Sequence, residues 1–184
     1  MNLEDFGKRS GLKISPVSIG GMRLPPDTYD AVATIRYAID NGVRYIDTSR
    51  GYGDSELIFG LALQDGYREK VYLSTKSSPW ITKIGDAENQ TAESVIIRIK
   101  EQLLLLNTDY LDFYQIWSVF NKENWELALK PGGVLDGMKE AKKQGLVKHL
   151  GFTTHQAPDE LLNCLDEVDW CDVILISYNL LQKD

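Results

Sequence analysis

Tyr45-Ile46-Asp47-Thr48-Ser49-Arg50-Gly51-Tyr52-Gly53-Asp54-Ser55-Glu56 is the stretch whose reading decides the fold. An apolar run starting at Val43 ends on a carboxylate, Asp47. Gly51 and Gly53 bracket a phenol, Tyr52, in a short loop. Asp54 and Ser55 then open an amphipathic stretch through Leu57, Ile58 and Leu61. A strand, a loop and a helix in direct succession make one βα unit. The next apolar run, Val71 to Thr75, ends on an amine, Lys76. Parallel strands would bring Asp47 and Lys76 to neighbouring strand ends, with Tyr52 just beyond one of them. A carboxylate, a phenol and an ammonium so placed are the makings of an acid–base site.

The same unit repeats in both directions. Upstream, Lys8 to Gly11 reads as a turn between two short edge strands, and Ile14 to Ile19 as the first strand of the repeat. Gly20-Gly21-Met22-Arg23 follows it. Asp27 is placed to cap a helix whose Val32, Ile35 and Ile39 form a stripe, and Asn41-Gly42 ends it. Downstream, Thr91 opens a long helix with Val95, Ile96, Ile99, Leu103 and Leu106 on one face. Tyr110 to Ile116 is a fourth strand, followed by a polar, aromatic loop through Asn121 to Trp125. A helix from Gly133 to Gln144 closes on Gly145. Val147 to Phe152 is a fifth strand, Pro158 to Glu167 a helix, and Val173 to Ser177 a sixth strand.

Six such strands are expected to form an incomplete (β/α)8 barrel, with a short hairpin before it. A full barrel takes ~250 residues, so residues 1–184 read as one domain cut short after strand six. A doubly wound sheet is the other architecture for this pattern, but no Gly-x-Gly-x-x-Gly follows the first strand.

The bulk properties narrow the function. The 184 residues are 43 % hydrophobic, enough for a substantial core, and the net charge is −7. Acidity argues against nucleic acid, whose phosphates need Lys and Arg. No apolar run approaches the ~20 residues that cross a bilayer, and the N-terminus lacks a signal-like apolar region. A cytoplasmic protein is expected. Cys164 and Cys171 match no metal spacing and read as buried thiols.

The Asp47-Thr48-Ser49…Tyr52-Gly53…Ser55-Glu56 pattern, with Lys76 at the next strand end, resembles the signature of the aldo-keto reductases. The resemblance runs from about Leu12 to Leu181. It implies reduction of an aldehyde or ketone by hydride from NADP(H) or NAD(H). Tyr52 would be the general acid. Lys76 would lower the phenol's pKa, and Asp47 would hold Lys76 charged and oriented. The family carries a histidine at the end of the fourth strand; here Trp117 stands in its place. Its indole N–H donates but cannot accept, so Trp117 is expected to wall the oxyanion side. Of the two histidines, His155 follows the fifth strand and is a candidate substitute donor, while His149 lies away from the mouth.

Lys148-His149-Leu150-Gly151-Phe152-Thr153-Thr154 resembles the family's Arg-x-Ile-Gly-Val-Ser-Asn stretch, which holds the nicotinamide carboxamide. Thr153 keeps a hydroxyl and Thr154 loses an amide. Leu175 stands where a glutamine is usual. Gly21, Met22 and Arg23 match the family's first βα turn, beside the nicotinamide. The family's last strand and phosphate loop would lie past Asp184, so self-association or a further C-terminal segment is expected to complete the site. The Gly-Gly-Met-Arg-Leu-Pro wording resembles members with an iron-sulfur tail, for which this sequence has no ligands. Phe120 and Trp125 either line the pocket or pack on the rim. The other readings are a non-catalytic binding or regulatory protein on this scaffold, and an inactive fragment of a longer reductase.

Overall fold

The structure is a computed structural model, and it describes residues 1–81, 90–162 and 168–178. The chain opens with an antiparallel hairpin, β1 (Glu4–Phe6) and β2 (Leu12–Ile14), joined by one helical turn, α1 (Gly7–Ser10). Gly11 ends that turn at φ +65°, a conformation glycine adopts without penalty. Six parallel strands follow in sequence order: β3 (Ile19–Gly20), β4 (Tyr45–Asp47), β5 (Tyr72–Ser77), β6 (Leu111–Val119), β7 (Val147–Thr154) and β8 (Val173–Ile176). Between them lie α2 (Thr28–Asp40), α3 (Ser55–Ala62), α4 (Ala92–Leu106), α5 (Lys122–Leu129), α6 (Val134–Lys143) and α7 (Pro158–Leu162). This is the expected incomplete (β/α)8 barrel with its hairpin.

Pleating separates two cores. Outward side chains such as Ile46, Leu73, Ile116, Leu150 and Phe152 pack under the helices with Ile35, Phe59, Ile99, Leu106 and Met138. Inward side chains Tyr45, Phe113 and Val173 form a second cluster, joined by Phe6, Leu12 and Ile14 of the hairpin. The Phe6 ring lies 5.6 Å from Tyr45 and 5.5 Å from Phe113. The hairpin therefore plugs the end where the strands begin, and the opposite end is left for function.

The local signals explain most boundaries. The Asp27 carboxylate accepts from the Asp30 N–H, and Thr91 with Ser94 forms a reciprocal cap. α4 crosses α6 closely because residue 137 is glycine: a Cβ there would lie 2.6 Å from the Ala92 carbonyl oxygen. Asp112 and Arg68 pair at 2.8 Å near the hairpin end, both buried.

Four expectations need correction. The first parallel strand is Ile19–Gly20, since Ile14 belongs to the hairpin and Ser15 turns the chain by donating to the Val17 carbonyl at 2.6 Å. Asp54 precedes α3 without a capping side-chain bond. The stretch from Asn121 to Trp125 is largely helix: Asn121 caps α5 by accepting from the Asn124 N–H at 2.9 Å. Finally, β5, β6 and β7 run two to three residues past their expected ends. Cys171 is buried, its thiol donating to the Val173 carbonyl at 3.1 Å. Cys164, and the part of the expected Pro158–Glu167 helix after Leu162, lie outside the described residues. No helix among the described residues is long and apolar enough to cross a membrane.

Candidate active site

Strand register decides which side chains meet. Gly20 pairs with Asp47, Asp47 with Ser74, Lys76 with Gln115, Gln115 with Gly151, and Thr153 with Leu175. Asp47, Lys76, Gln115, Trp117, Thr153 and Leu175 thus gather at the late ends of five strands. Above the inner aromatic cluster, Lys76, Trp117, Thr153 and Leu175 border a cleft of about 480 Å³. Met22, Tyr52, Phe120, Thr154 and His155 share its lining.

Lys76 is the centre of the site. It is 1 % exposed, and its ammonium forms an ion pair with Asp47 Oδ2 and donates to the Thr48 carbonyl at 2.8 Å. Burial drives its pKa down from the ordinary lysine value, and the Asp47 charge opposes that drop. The same ammonium lies 4.9 Å from the centroid of the Tyr52 ring. The Tyr52 ring meets the Trp117 indole edge to face, with centroids 5.5 Å apart. Asp47, Tyr52, Lys76 and Trp117 therefore form one contiguous set.

The electrostatics of Tyr52 run opposite to expectation. Its pKa is pushed up to about 12, first by burial and then by the Asp47 charge. The ammonium sits over the ring face and is neutralised by its carboxylate, so it does not pull the phenol down. Tyr52 is a neutral donor throughout the physiological range. Among the described residues its hydroxyl has no hydrogen-bond partner, and it borders the cleft.

The remaining candidates separate. Thr153 Oγ1 accepts from the Ser118 N–H at 2.8 Å and keeps its own proton to give. Thr154 Oγ1 donates to the Val119 carbonyl at 2.8 Å, so its proton is committed to the backbone. Met22 is exposed on the cleft wall. Gly21 is not laid open for a ligand: a Cβ there would come within 2.1 Å of Ser55 Oγ and 2.7 Å of the Phe59 ring. It is needed for packing against α3. Arg23 faces solvent outside the cleft lining. Phe120 lines the cleft, whereas Trp125 is buried against Phe152 and Trp170 at 5.1 and 6.1 Å. His155 is on the cleft; His149 is stacked on Phe113 at 4.9 Å, partly buried and away from the cleft.

Trp117 sits on a bulge. The β6–β7 register slips between Ile116 and Val119, and Ser118 takes φ +59°, an uncommon conformation for a residue with a Cβ. Thr153 Oγ1 on its N–H and the Trp80 indole on its carbonyl, at 2.7 Å, pin it there.

Sequence reasoning passed over a buried polar layer behind the set. Glu56, 2 % exposed, accepts from Thr75 Oγ1 and Gln102 Nε2, each at 2.6 Å. Thr48 and Ser55 hydroxyls meet at 2.7 Å. Gln115 stands beside Asp47 within the barrel. Its signal was present, as a polar residue on the inward phase of an apolar strand.

The aldo/keto reductase family profile matches residues 16–184. The chain belongs to this family. A methylglyoxal reductase, DkgB, of Escherichia coli O157:H7 is 31 % identical over 150 residues, 80 % of this chain and 50 % of that protein. Among solved structures, aldo-keto reductase AKR11C1 from Bacillus halodurans, in its holo form, superposes with a TM-score of 0.77 at 23 % identity. The match covers 97 % of this chain and 58 % of that one. An aldo/keto reductase from Klebsiella pneumoniae, in complex with NADP and acetate, gives 0.66 at 22 % identity, over 85 % of this chain and 51 % of that one. These likenesses share the barrel fold. The chain spans about half the length of the curated relatives it matches.

Proposed function

We propose that this chain carries the acid–base site of an NAD(P)H-dependent carbonyl reductase, with Tyr52 as the general acid. The observation that supports it best is the buried Lys76–Asp47 pair beneath Tyr52, at the edge of a cleft. A lysine 1 % exposed is costly to keep charged, and here its charge lies 4.9 Å from the centre of the ring that would lose the proton.

The nicotinamide end of the cofactor fits the lining. Trp117, Met22 and Leu175 offer apolar walls, and Thr153 offers a hydroxyl whose proton is uncommitted. When bound, the cofactor supplies hydride to the carbonyl carbon. Tyr52 donates a hydrogen bond to the carbonyl oxygen. As that oxygen gains negative charge it becomes more basic than a phenolate, so even a phenol near pKa 12 gives up its proton downhill. The phenolate left behind faces the Lys76 ammonium, which Asp47 keeps protonated. Trp117 closes the side of the oxygen subsite and excludes water from it.

The substrate is proposed to be a small aldehyde or ketone. Methylglyoxal, for which the Escherichia coli relative is named, is the first to try. One observation favours a second reading, a binding or regulatory protein on the same scaffold: Trp117 gives the oxygen subsite an indole where an imidazole would both donate and accept. Titration with NADPH and NADH, followed by tryptophan fluorescence and then by methylglyoxal-dependent oxidation, separates the two. Saturable binding with turnover supports the reductase. Binding without turnover favours the second reading. No binding at millimolar cofactor refutes both the cofactor and the reaction.

A further inference from the structure

Gln115 lies at the centre of β6 on its inward face, between Phe113 below and Trp117 above, and is completely buried. Its Nε2 donates to Ser74 Oγ at 2.7 Å and reaches Asp47 Oδ1 at 3.4 Å. The Oε1 atom has no partner among the described residues. The amide orientation is nonetheless fixed, because the flipped form would set Oε1 against a carboxylate oxygen.

Two features make this arrangement more than packing. Asp47 ends a strand of three residues and its side chain is 15 % exposed, so β4 alone does not hold its torsions. Each carboxylate oxygen takes one donor from a different strand: Oδ2 from Lys76 on β5, Oδ1 from Gln115 on β6. Among the described residues nothing else donates to Oδ1. A leucine would fill the Gln115 site without leaving an orphaned oxygen. The amide therefore carries a penalty in the fold and spends its N–H groups on Asp47 and on the serine that anchors it.

We infer that Gln115 is a positioning residue: its amide holds Asp47 Oδ1 so that Oδ2 stays on the Lys76 ammonium beneath Tyr52. The inference rests on the reading of Asp47, Tyr52 and Lys76 as the acid–base set. Without the amide, Asp47 turns toward the cleft and Lys76 faces burial with less compensation. The groups facing Lys76 are then Asp47 from β4, Tyr52 from the following loop and Glu56 from α3, with the uncharged Thr48 carbonyl at 2.8 Å.

The test pairs structure with kinetics in Gln115→Leu and, as a second variant of matching length, Gln115→Met. The crystal structures should show Asp47 turned off Lys76, with a melting temperature lowered by no more than it is in Asp47→Asn. With methylglyoxal, kcat should fall about tenfold or more while the KM for NADPH stays within about twofold. The alkaline limb of the kcat profile should move about one unit toward lower pH, because Lys76 loses its proton earlier. In an Asp47→Asn background, Gln115→Leu should cost nothing further. An intact Asp47–Lys76 pair in the crystal with kcat within about threefold of the parent overturns the inference, as does a kcat loss that only tracks a falling melting temperature. If the parent chain reduces no carbonyl, the functional reading fails, and the position of Asp47 in the Gln115→Leu crystal alone decides the inference.

Discussion

Asp47→Asn isolates the charge on which the site depends. The amide keeps the carboxylate's shape and an acceptor oxygen, so the variant removes an anion and little else. Lys76 then stays 1 % exposed with its bond to the Thr48 carbonyl at 2.8 Å and no adjacent counter-ion. Removing one partner of a buried pair costs about 3–5 kcal/mol. Water reaches Asp47, 15 % exposed, so the lower figure applies and the loss at pH 7 should be about 3 kcal/mol. The loss depends on pH. Burial sets the folded pKa of Lys76 below 10.5, so in the window between the folded value and 10.5 the unfolded chain binds more protons. Stability contributed through Lys76 rises with pH across that window. Asp47→Asn lowers the folded value further and widens the window downward, so the variant should regain stability on going from pH 7 to 9.5. Urea denaturation at both pH values measures this. The double variant Asp47→Asn/Lys76→Met should recover about 1–2 kcal/mol of the loss, because no buried charge remains. A cost below about 1 kcal/mol at pH 7, or one that does not change with pH, would refute the reasoning.

Three further outcomes are expected. Trp117→His restores a group able to donate and accept at the oxygen subsite and should raise kcat for methylglyoxal about tenfold or more, read from NADPH oxidation. Gly137→Ala forces a Cβ to within 2.6 Å of the Ala92 carbonyl oxygen and should cost about 1–3 kcal/mol in urea denaturation without altering cofactor affinity. Tyr52 has its pKa raised to about 12, so between pH 10 and 12 the folded protein keeps a proton that the unfolded chain releases. Stability through this residue is complete below pH 10 and lost as pH rises to 12, and melting curves of Tyr52→Phe should show a shallower alkaline decline.

Much of the fold was legible because each βα unit carries its own signals. An apolar strand ends in a polar residue, a capping side chain follows, and a helical stripe such as Ile35–Ile39 or Ile99–Leu103–Leu106 comes next. Short elements were harder to read. Pro16 and Ser15 break what looks like one apolar run from Ile14 to Ile19, and a side-chain bond too local for periodicity decides where the hairpin ends. The α5 helix hides in a polar stretch, although Asn121 at the cap with Phe120 and Trp125 in staple positions was a usable signal.

At the site, the placement of Asp47, Lys76 and Trp117 at strand ends follows from the pattern alone. The sign of the Tyr52 shift does not, because it depends on how deeply the ring is buried and where the ammonium lies against it. Nor do the commitments of Thr154 and Gly21, which are set by strand register and by the approach of α3. Gln115 could be found only once β6 had a defined inward phase and a neighbour at Asp47.

The most direct test of the central claim is carbonyl-dependent NADPH oxidation by the parent chain and by Tyr52→Phe, with cofactor affinity measured in parallel. The account predicts that the parent turns over a small aldehyde or ketone. It also predicts that loss of the phenolic hydroxyl lowers kcat about 10²–10⁴-fold, with the dissociation constant for NADPH within about twofold of the parent. Turnover by Tyr52→Phe within about threefold of the parent would contradict it, and the proton would have to come from another group on the cleft.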